Sequence, residues 1–247
     1  MKLLIAAISF LVLVIVFSCK GKIKNKGAAM TRGEVAYDEC YGELAKKLEK
    51  NGVAISSLEL LIRVFKQEEI LEVWAKNKLA EKFKKIAEYP FCKNSGTLGP
   101  KRKEGDQQIP EGFYHIDRFN GKSKFYLSLG INYPNAADLV LADKQKPGSD
   151  IFIHGGCATV GCIPITNEKI KALWVLASEA LTQGQSKIPV HIFPFEMTAE
   201  NLRKNSQVYP QHRLFWESLQ KGFLYFEEYR SVPQMTALSN GYYHLSK

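Results

Sequence analysis

The first part of the chain is almost entirely apolar, whereas the rest alternates between apolar and polar positions. Residues 3–17 form an apolar run that ends at Ser18 and Cys19. This run is shorter than the roughly 20 residues that cross a bilayer as a helix. It therefore predicts a signal peptide over residues 1–18, with export of the remaining chain, rather than a permanent membrane anchor.

The end of the apolar run also predicts a modification. Val16 to Cys19 resembles a bacterial lipobox, although Val-Phe-Ser-Cys departs from the commoner Leu-Ala-Gly-Cys pattern. We expect Cys19 to carry a lipid and to attach the protein to a membrane of the cell envelope, facing the periplasm. The polar, basic residues 20–26 are typical of a tether. Plain cleavage and a retained anchor are the alternatives.

The patterns that follow predict a mixed, mainly β fold with helices. Alternating apolar positions on both sides of a polar turn at residues 66–69 favour a hairpin, because side chains alternate between the two faces of a strand. A helical period begins at Asn167, which we expect to be the N-cap, and stops near Gly184. Further strands are predicted at 84–91, 113–116, 125–129 and 188–195, and helices at 35–51 and within 198–230.

These patterns divide the chain into four parts. After the signal peptide we expect a tether and leading helix over residues 19–57, a main folded domain over 58–196 and a helical C-terminal extension over 197–247. The formal charge of +9 and pI near 9.2 favour anionic partners. Since an exported protein rarely meets nucleic acid, we expect acidic wall peptides and anionic lipid headgroups, and no nucleic acid.

The segment with the clearest chemistry is residues 151–163. A short apolar strand leads to His154, glycines follow, and Cys162 stands eight residues after the histidine. A neighbouring histidine can ionise a cysteine thiol for acyl transfer. Glycines beside the nucleophile, Gly156 and Gly161, leave backbone N–H groups unshielded for an oxyanion.

Other interpretations of the same residues remain open at this point. Besides Cys19 the chain has four cysteines, an even number that disulfides could pair in an oxidising compartment. Cys157 and Cys162 could form a disulfide in a non-catalytic wall-binding lipoprotein. Together with His154 they could hold zinc, although a fourth ligand is lacking. They could also be ordinary core residues.

A family resemblance favours the catalytic interpretation. Residues 153–155 with Thr159-x-Gly161-Cys162 resemble the His-Gly and Ser/Thr-x-Gly-Cys signature of the YkuD-type L,D-transpeptidase catalytic domain. The resemblance extends over roughly residues 58 to 230, and the later part is similar to the YafK-like branch. Its further matching segments are 63–66, 71–74, 95–101, 104–106, 110–114, 190–195 and 197–201.

The resemblance implies a β-sandwich-like fold and a role for each matched residue. Cys162 would be the nucleophile and His154 the general acid/base, with Gly155, Gly156, Thr159 and Gly161 in oxyanion or substrate positioning. The substrate would be a peptidoglycan stem peptide, and neither a cofactor nor a metal is expected.

The fate of the thioester on Cys162 is open. An amine acceptor, such as one on a wall-attached protein, gives transfer. Water gives hydrolysis, which would make the chain a carboxypeptidase or an amidase that releases a peptide or protein.

The remaining polar residues receive simpler predictions. Cys162 should be a reactive thiolate of low pKa, whereas Cys157 should be unreactive or tied to another cysteine such as Cys92. We expect His191 to be a core residue of a buried strand, and residues 101–103 to form a solvated, basic loop face.

Overall fold

The computed structural model describes residues 29–246. The predicted signal peptide, the lipidation at Cys19 and the basic tether at 20–26 therefore lie outside the described residues. Within residues 29–246, none of the helices combines the length and the apolar character needed to cross a membrane.

The centre of the molecule is a sheet of eight strands in the order β3-β2-β1-β8-β4-β5-β6-β7. Most neighbours are antiparallel, whereas β1 pairs with β8, and β6 with β7, in parallel. The strands are β1 Leu58–Phe65, β2 Ile70–Asn77, β3 Lys84–Pro90, β4 Gly112–Asn120, β5 Ser128–Ile131, β6 Phe152–His154, β7 Ile163–Pro164 and β8 Pro189–Phe193.

The two edge strands of this sheet come close to each other. Cys92, two residues after β3, donates its backbone N–H to the carbonyl oxygen of Pro164 in β7 at 3.1 Å. Cys92 is also joined by a disulfide to Cys157, in the loop between β6 and β7. The sheet is therefore strongly curled, and the prediction of a mixed α+β fold is confirmed.

Two helices cover one side of the sheet. Helix α1, Arg32–Lys50, starts at a capping box formed by Thr31 and Glu34. Helix α3, Asn167–Thr182, buries Ile170, Leu173 and other apolar residues against the same core. This core contains apolar side chains from all eight strands. Burial of their apolar surface is the main favourable contribution to the free energy of folding.

The C-terminal segment packs on the other side of the sheet. Helices α4, Ala199–Val208, and α5, Arg213–Tyr229, are followed by a hairpin of β9, Gln234–Ala237, and β10, Tyr243–Ser246. The segment is therefore not purely helical. Phe223 of α5 packs with Phe65 and Phe193 of the sheet in a second core.

One predicted strand is misplaced. The prediction at 125–129 starts the strand too early, because Tyr126 has a φ of +73° and cannot continue an extended strand. The strand β5 begins at Ser128 instead. The segment after β5 contains a short helix α2, Ala136–Leu141, whose N-terminus is capped by Asn135.

Candidate active site

The strands β6 and β7 bring His154 and Cys162 to one face of the sheet. Their parallel register pairs Ile153 with Ile163, and Cys162 immediately precedes β7. Both isoleucines are fully buried in the main core. Because side chains alternate along a strand, His154 and Cys162 lie together on the opposite face.

The hydrogen bond of His154 determines which ring nitrogen carries the proton. Nδ1 lies 2.6 Å from the carbonyl oxygen of Gly155, which can only accept. We therefore assign the proton to Nδ1, so that the lone pair is on Nε2. Among the described residues, Nε2 has no hydrogen-bond partner.

The surroundings of His154 keep its ring neutral. Its side chain is only 1% exposed, and the ring of Phe125 stacks on it with centroids 4.5 Å apart. Burial lowers the pKa of His154, and the hydrogen bond to Gly155 opposes this only in part. A neutral imidazole with a free Nε2 is suited to accept a proton.

The thiol of Cys162 does not have the low pKa that the sequence predicted. Burial raises the pKa of Cys162, whereas a backbone hydrogen bond from Phe152 and the charge of Lys101 lower it, and the carboxylate of Asp150 raises it further. The sulfur lies 3.7 Å from the carbonyl oxygen of Asp150. The prediction of a preformed thiolate is therefore wrong, because desolvation has the largest effect at this sulfur.

Thr159 and Gly161 fix the backbone of Cys162. The hydroxyl of Thr159 accepts a hydrogen bond from Cys162 N–H at 2.9 Å and donates one to the Cys162 carbonyl at 2.8 Å. Gly161 has a φ of +108°, and a Cβ there would lie 2.9 Å from the carbonyl oxygen of Gln108. Only glycine fits this turn without displacing the neighbouring loop.

The loop after His154 is held by Asn167. Gly156, with a φ of +69°, donates its N–H to Asn167 Oδ1 at 3.0 Å. A Cβ on Gly155 would lie 2.5 Å from the same oxygen. The prediction of Asn167 as N-cap is wrong, since Thr166 occupies that position and Asn167 is the first helical residue.

Two of the expected oxyanion donors already have partners. The N–H of Gly156 is bonded to Asn167, and the N–H of Gly161 donates to Ser95 Oγ at 2.8 Å. A role as oxyanion donors requires these groups to exchange their partners when substrate binds. That role stays a prediction, whereas the conformational role of both glycines follows from their positive φ angles.

The cysteine pairing excludes one of the alternatives left open by the sequence. Cys157 is bonded to Cys92, and Cys162 has a free thiol. A disulfide between Cys157 and Cys162 is therefore wrong. Cys157 has no thiolate to offer to zinc either, and in residues 29–246 no group of three or more His, Cys, Asp or Glu side chains could hold a metal ion.

Two other polar side chains, Lys101 and His191, are buried. Lys101 was expected on a solvated face, but it is 4% exposed and forms an ion pair with Asp106 at 2.6 Å. His191 is buried against Phe113 as predicted. Burial lowers the pKa of His191 to about 3, with a smaller contribution from the charge of Arg63.

Comparison with known proteins identifies relatives of this chain. Residues 59–192 match the model of YkuD, the L,D-transpeptidase catalytic domain. YafK of Escherichia coli strain K12, which is named provisionally as an L,D-transpeptidase, is 37% identical over 188 residues, covering 75% of this chain and 73% of the relative. The YafK sequence of E. coli O157:H7 gives the same values.

A solved structure is also similar, at a lower level. Pgp2 of Campylobacter jejuni, named a helical cell shape determining protein, is 18% identical, with 73% of each chain covered and a TM-score of 0.45. At this score the likeness supports no argument about function. The family match and the identity to YafK are sufficient by themselves: the chain belongs to the YkuD family of L,D-transpeptidase catalytic domains.

Proposed function

We propose that this chain is an exported cysteine acyl-transferase that forms a thioester on Cys162 with peptidoglycan stem peptides. The family acts on such peptides, which implies a location in the cell envelope. The observation that carries the proposal is the placement of a free thiol and a neutral imidazole on the same face of the β6–β7 ladder.

The reaction starts from neutral partners rather than from an ion pair. His154 Nε2 takes the proton of the Cys162 thiol as the sulfur attacks the carbonyl carbon of the peptide bond. The C–N bond of the tetrahedral intermediate then breaks. The departing amine receives the proton from His154, and a thioester remains on Cys162.

The second half of the reaction decides between transfer and hydrolysis. An amine from another stem, or from a wall-attached protein, attacks the thioester and gives a new amide bond, whereas water gives net hydrolysis. Hydrolysis is the second candidate, because Cys157, Ala158 and Val160 beside the nucleophile are exposed to solvent. Both candidates require the same nucleophile and base.

Membrane attachment forms a separate part of the proposal. A lipid on Cys19 would hold the enzyme beside the wall, with the basic tether between the lipid and the folded residues. We expect Cys19→Ser protein to leave the membrane fraction of cells or to persist as an unprocessed precursor. An unmodified N-terminus at another residue, found by intact-mass analysis of wild-type protein, would remove the lipoprotein assignment.

The reaction is tested by incubating the purified full-length protein with defined tetrapeptide muropeptides, with and without an amine acceptor. Mass spectrometry then measures cross-linked or acceptor-linked products and shortened stems. Products carrying the acceptor support transfer, and shortened stems alone support hydrolysis. If neither product forms, and no acyl group appears on Cys162, the proposed chemistry is excluded.

A further inference from the structure

Lys101 is a buried cation that packs beside the segment in contact with the candidate nucleophile. Its Nζ donates to Asp106 Oδ1 at 2.6 Å and to the carbonyl oxygen of Lys103 at 3.0 Å. Asp106 in turn accepts backbone N–H bonds from Arg102, Lys103 and Gln108 at 2.8 to 3.1 Å. Burying a charged pair costs desolvation energy, which a surface ion pair would avoid. This cost suggests that the buried position of the Lys101 charge serves a function.

Two loops connect this ion pair to Cys162. On one side, the carbonyl oxygen of Gln108 lies directly against Gly161, the residue before Cys162. On the other side, a Cβ on Gly148 would lie 2.8 Å from Lys101 Cε and 3.4 Å from its Nζ. The lysine therefore packs against the same short segment whose Asp150 carbonyl contacts the sulfur of Cys162.

Lys101 and Asp150, the charged groups near Cys162, have opposite effects on the pKa of its thiol. Within the described part of the chain, Lys101 is the cationic side chain whose charge favours the thiolate. Asp150 disfavours the thiolate, but its carboxylate is paired with Arg118 at 2.9 Å. His154, on the same face of the β6–β7 ladder, is also titratable, and its burial keeps it neutral before the proton is transferred.

We propose that Lys101 is a positioning residue of the site, whose ammonium group stabilises the negative charge that develops on the Cys162 sulfur as its proton leaves. Asp106 holds the ammonium in place through the loop it organises. This inference rests on the proposed role of Cys162. It goes further by assigning to the site a cation that is neither the nucleophile nor the base.

The test measures the pH dependence of alkylation of Cys162 by iodoacetamide in the full-length protein. Peptide mass mapping separates Cys162 from the free thiol of Cys40 and from Cys19. The variants are Lys101→Met, Lys101→Arg and Asp106→Asn, each first checked for its unfolding midpoint. The double variant K101M/D106N removes both charges of the pair, so that neither partner is left buried alone.

Removing the cation should move the alkylation midpoint of Cys162 upward by about one pH unit, the scale expected for a charge several ångströms away in a partly screened interior. The rate at neutral pH should then fall about tenfold. Lys101→Arg should retain the wild-type midpoint. Asp106→Asn should leave it unchanged or lower it, because the ammonium loses its nearby anion.

The outcomes separate an electrostatic role from a structural one. If K101M/D106N shifts the midpoint upward and Asp106→Asn does not, the inference stands. If Lys101→Met leaves the midpoint unchanged, or if Asp106→Asn raises it as much as Lys101→Met does, the charge of Lys101 has no special effect. Alkylation needs no peptide substrate, so this result is independent of whether the protein transfers acyl groups.

Discussion

Thr159 holds Cys162 by both polar groups of its backbone. One hydroxyl oxygen accepts the N–H of Cys162 and donates to its carbonyl, at 2.9 and 2.8 Å. The residue that fixes the backbone of Cys162 is therefore three positions before it in the same loop, and not a distant partner. This relationship gives a direct prediction.

Thr159→Val removes both hydrogen bonds while retaining the branched shape of the side chain. Since each bond contributes about 1 kcal/mol, and the carbonyl and N–H of Cys162 would both lose a partner, we expect acylation to slow by roughly tenfold or more. The measurement is the rate of thioester formation in single turnover. Thr159→Ser keeps the hydroxyl and serves as the control. A wild-type rate in a folded Thr159→Val protein would show that the two hydrogen bonds of Thr159 do not position the thiol.

The Cys92–Cys157 disulfide should stabilise the fold rather than take part in the reaction. It joins residues 65 positions apart, and closing a loop of that length in the unfolded chain stabilises by about 4 kcal/mol in the chain-entropy model. We expect the double variant C92S/C157S to lose free energy of unfolding of this order in urea titrations.

A matched control exists for this change. Cys40 is a free cysteine, so Cys40→Ser should leave the free energy of unfolding nearly unchanged. Reduction with dithiothreitol should destabilise the wild-type protein but not C92S/C157S. If C92S/C157S is as stable as the wild type, the disulfide does not constrain the edges of the sheet.

The lowered pKa of His191 predicts that the free energy of unfolding falls in mild acid. Its folded-state pKa of about 3 lies below the ordinary value of 6.5, so the unfolded chain binds the proton more readily between these two values. The contribution is fully present above pH 6.5 and is lost as the pH falls towards 3. We expect protonation of this residue alone to lower the free energy of unfolding by up to about 3 kcal/mol by pH 4.

The comparison of wild type with His191→Gln tests this sign. Glutamine does not titrate, so the difference in free energy of unfolding between the two proteins should shrink or reverse as the pH falls from 7 to 4. A difference that stays constant across this range would mean that the proton binds His191 equally in both states.

Patterns along the chain were sufficient for the parts of the fold that have a clear period. The hairpin of β1 and β2 and the long helix α3 follow from alternating and helical apolar positions. In contrast, β6 and β7 have three and two residues, too few to show any period. Their parallel pairing, which places His154 on the same face as Cys162, depends on the tertiary fold.

The residues that support the site were harder to predict, because their contacts are distant in sequence. Lys101 lies in a run of three basic residues, which is the ordinary pattern of a solvated loop. Its burial depends on Asp106 and on Gly148 across the neighbouring loop. Asn167 resembled an N-cap, yet its side chain reaches Gly156. The free thiol of Cys162 depends on Cys157 having Cys92 as its partner.

The base is tested by replacing His154. Because Nε2 is the ring nitrogen left without a hydrogen-bond partner among the described residues, we assign the proton transfer to it, and His154→Ala should slow acylation by about a hundredfold, the usual scale of a lost general base. The fold should persist, as judged by the unfolding midpoint. Acylation of a folded His154→Ala protein at the wild-type rate would remove this histidine from the reaction.

The most direct test of the account is to locate the covalent intermediate. The full-length protein is mixed with a tetrapeptide stem, quenched in acid, digested without reduction and mapped by mass spectrometry. We predict an acyl group on the peptide that contains Cys162, released by hydroxylamine and absent from Cys162→Ala protein, with Cys157 still bonded to Cys92. An acyl group on Cys157, or turnover by Cys162→Ala protein at the wild-type rate, would contradict the assignment of Cys162 as the nucleophile.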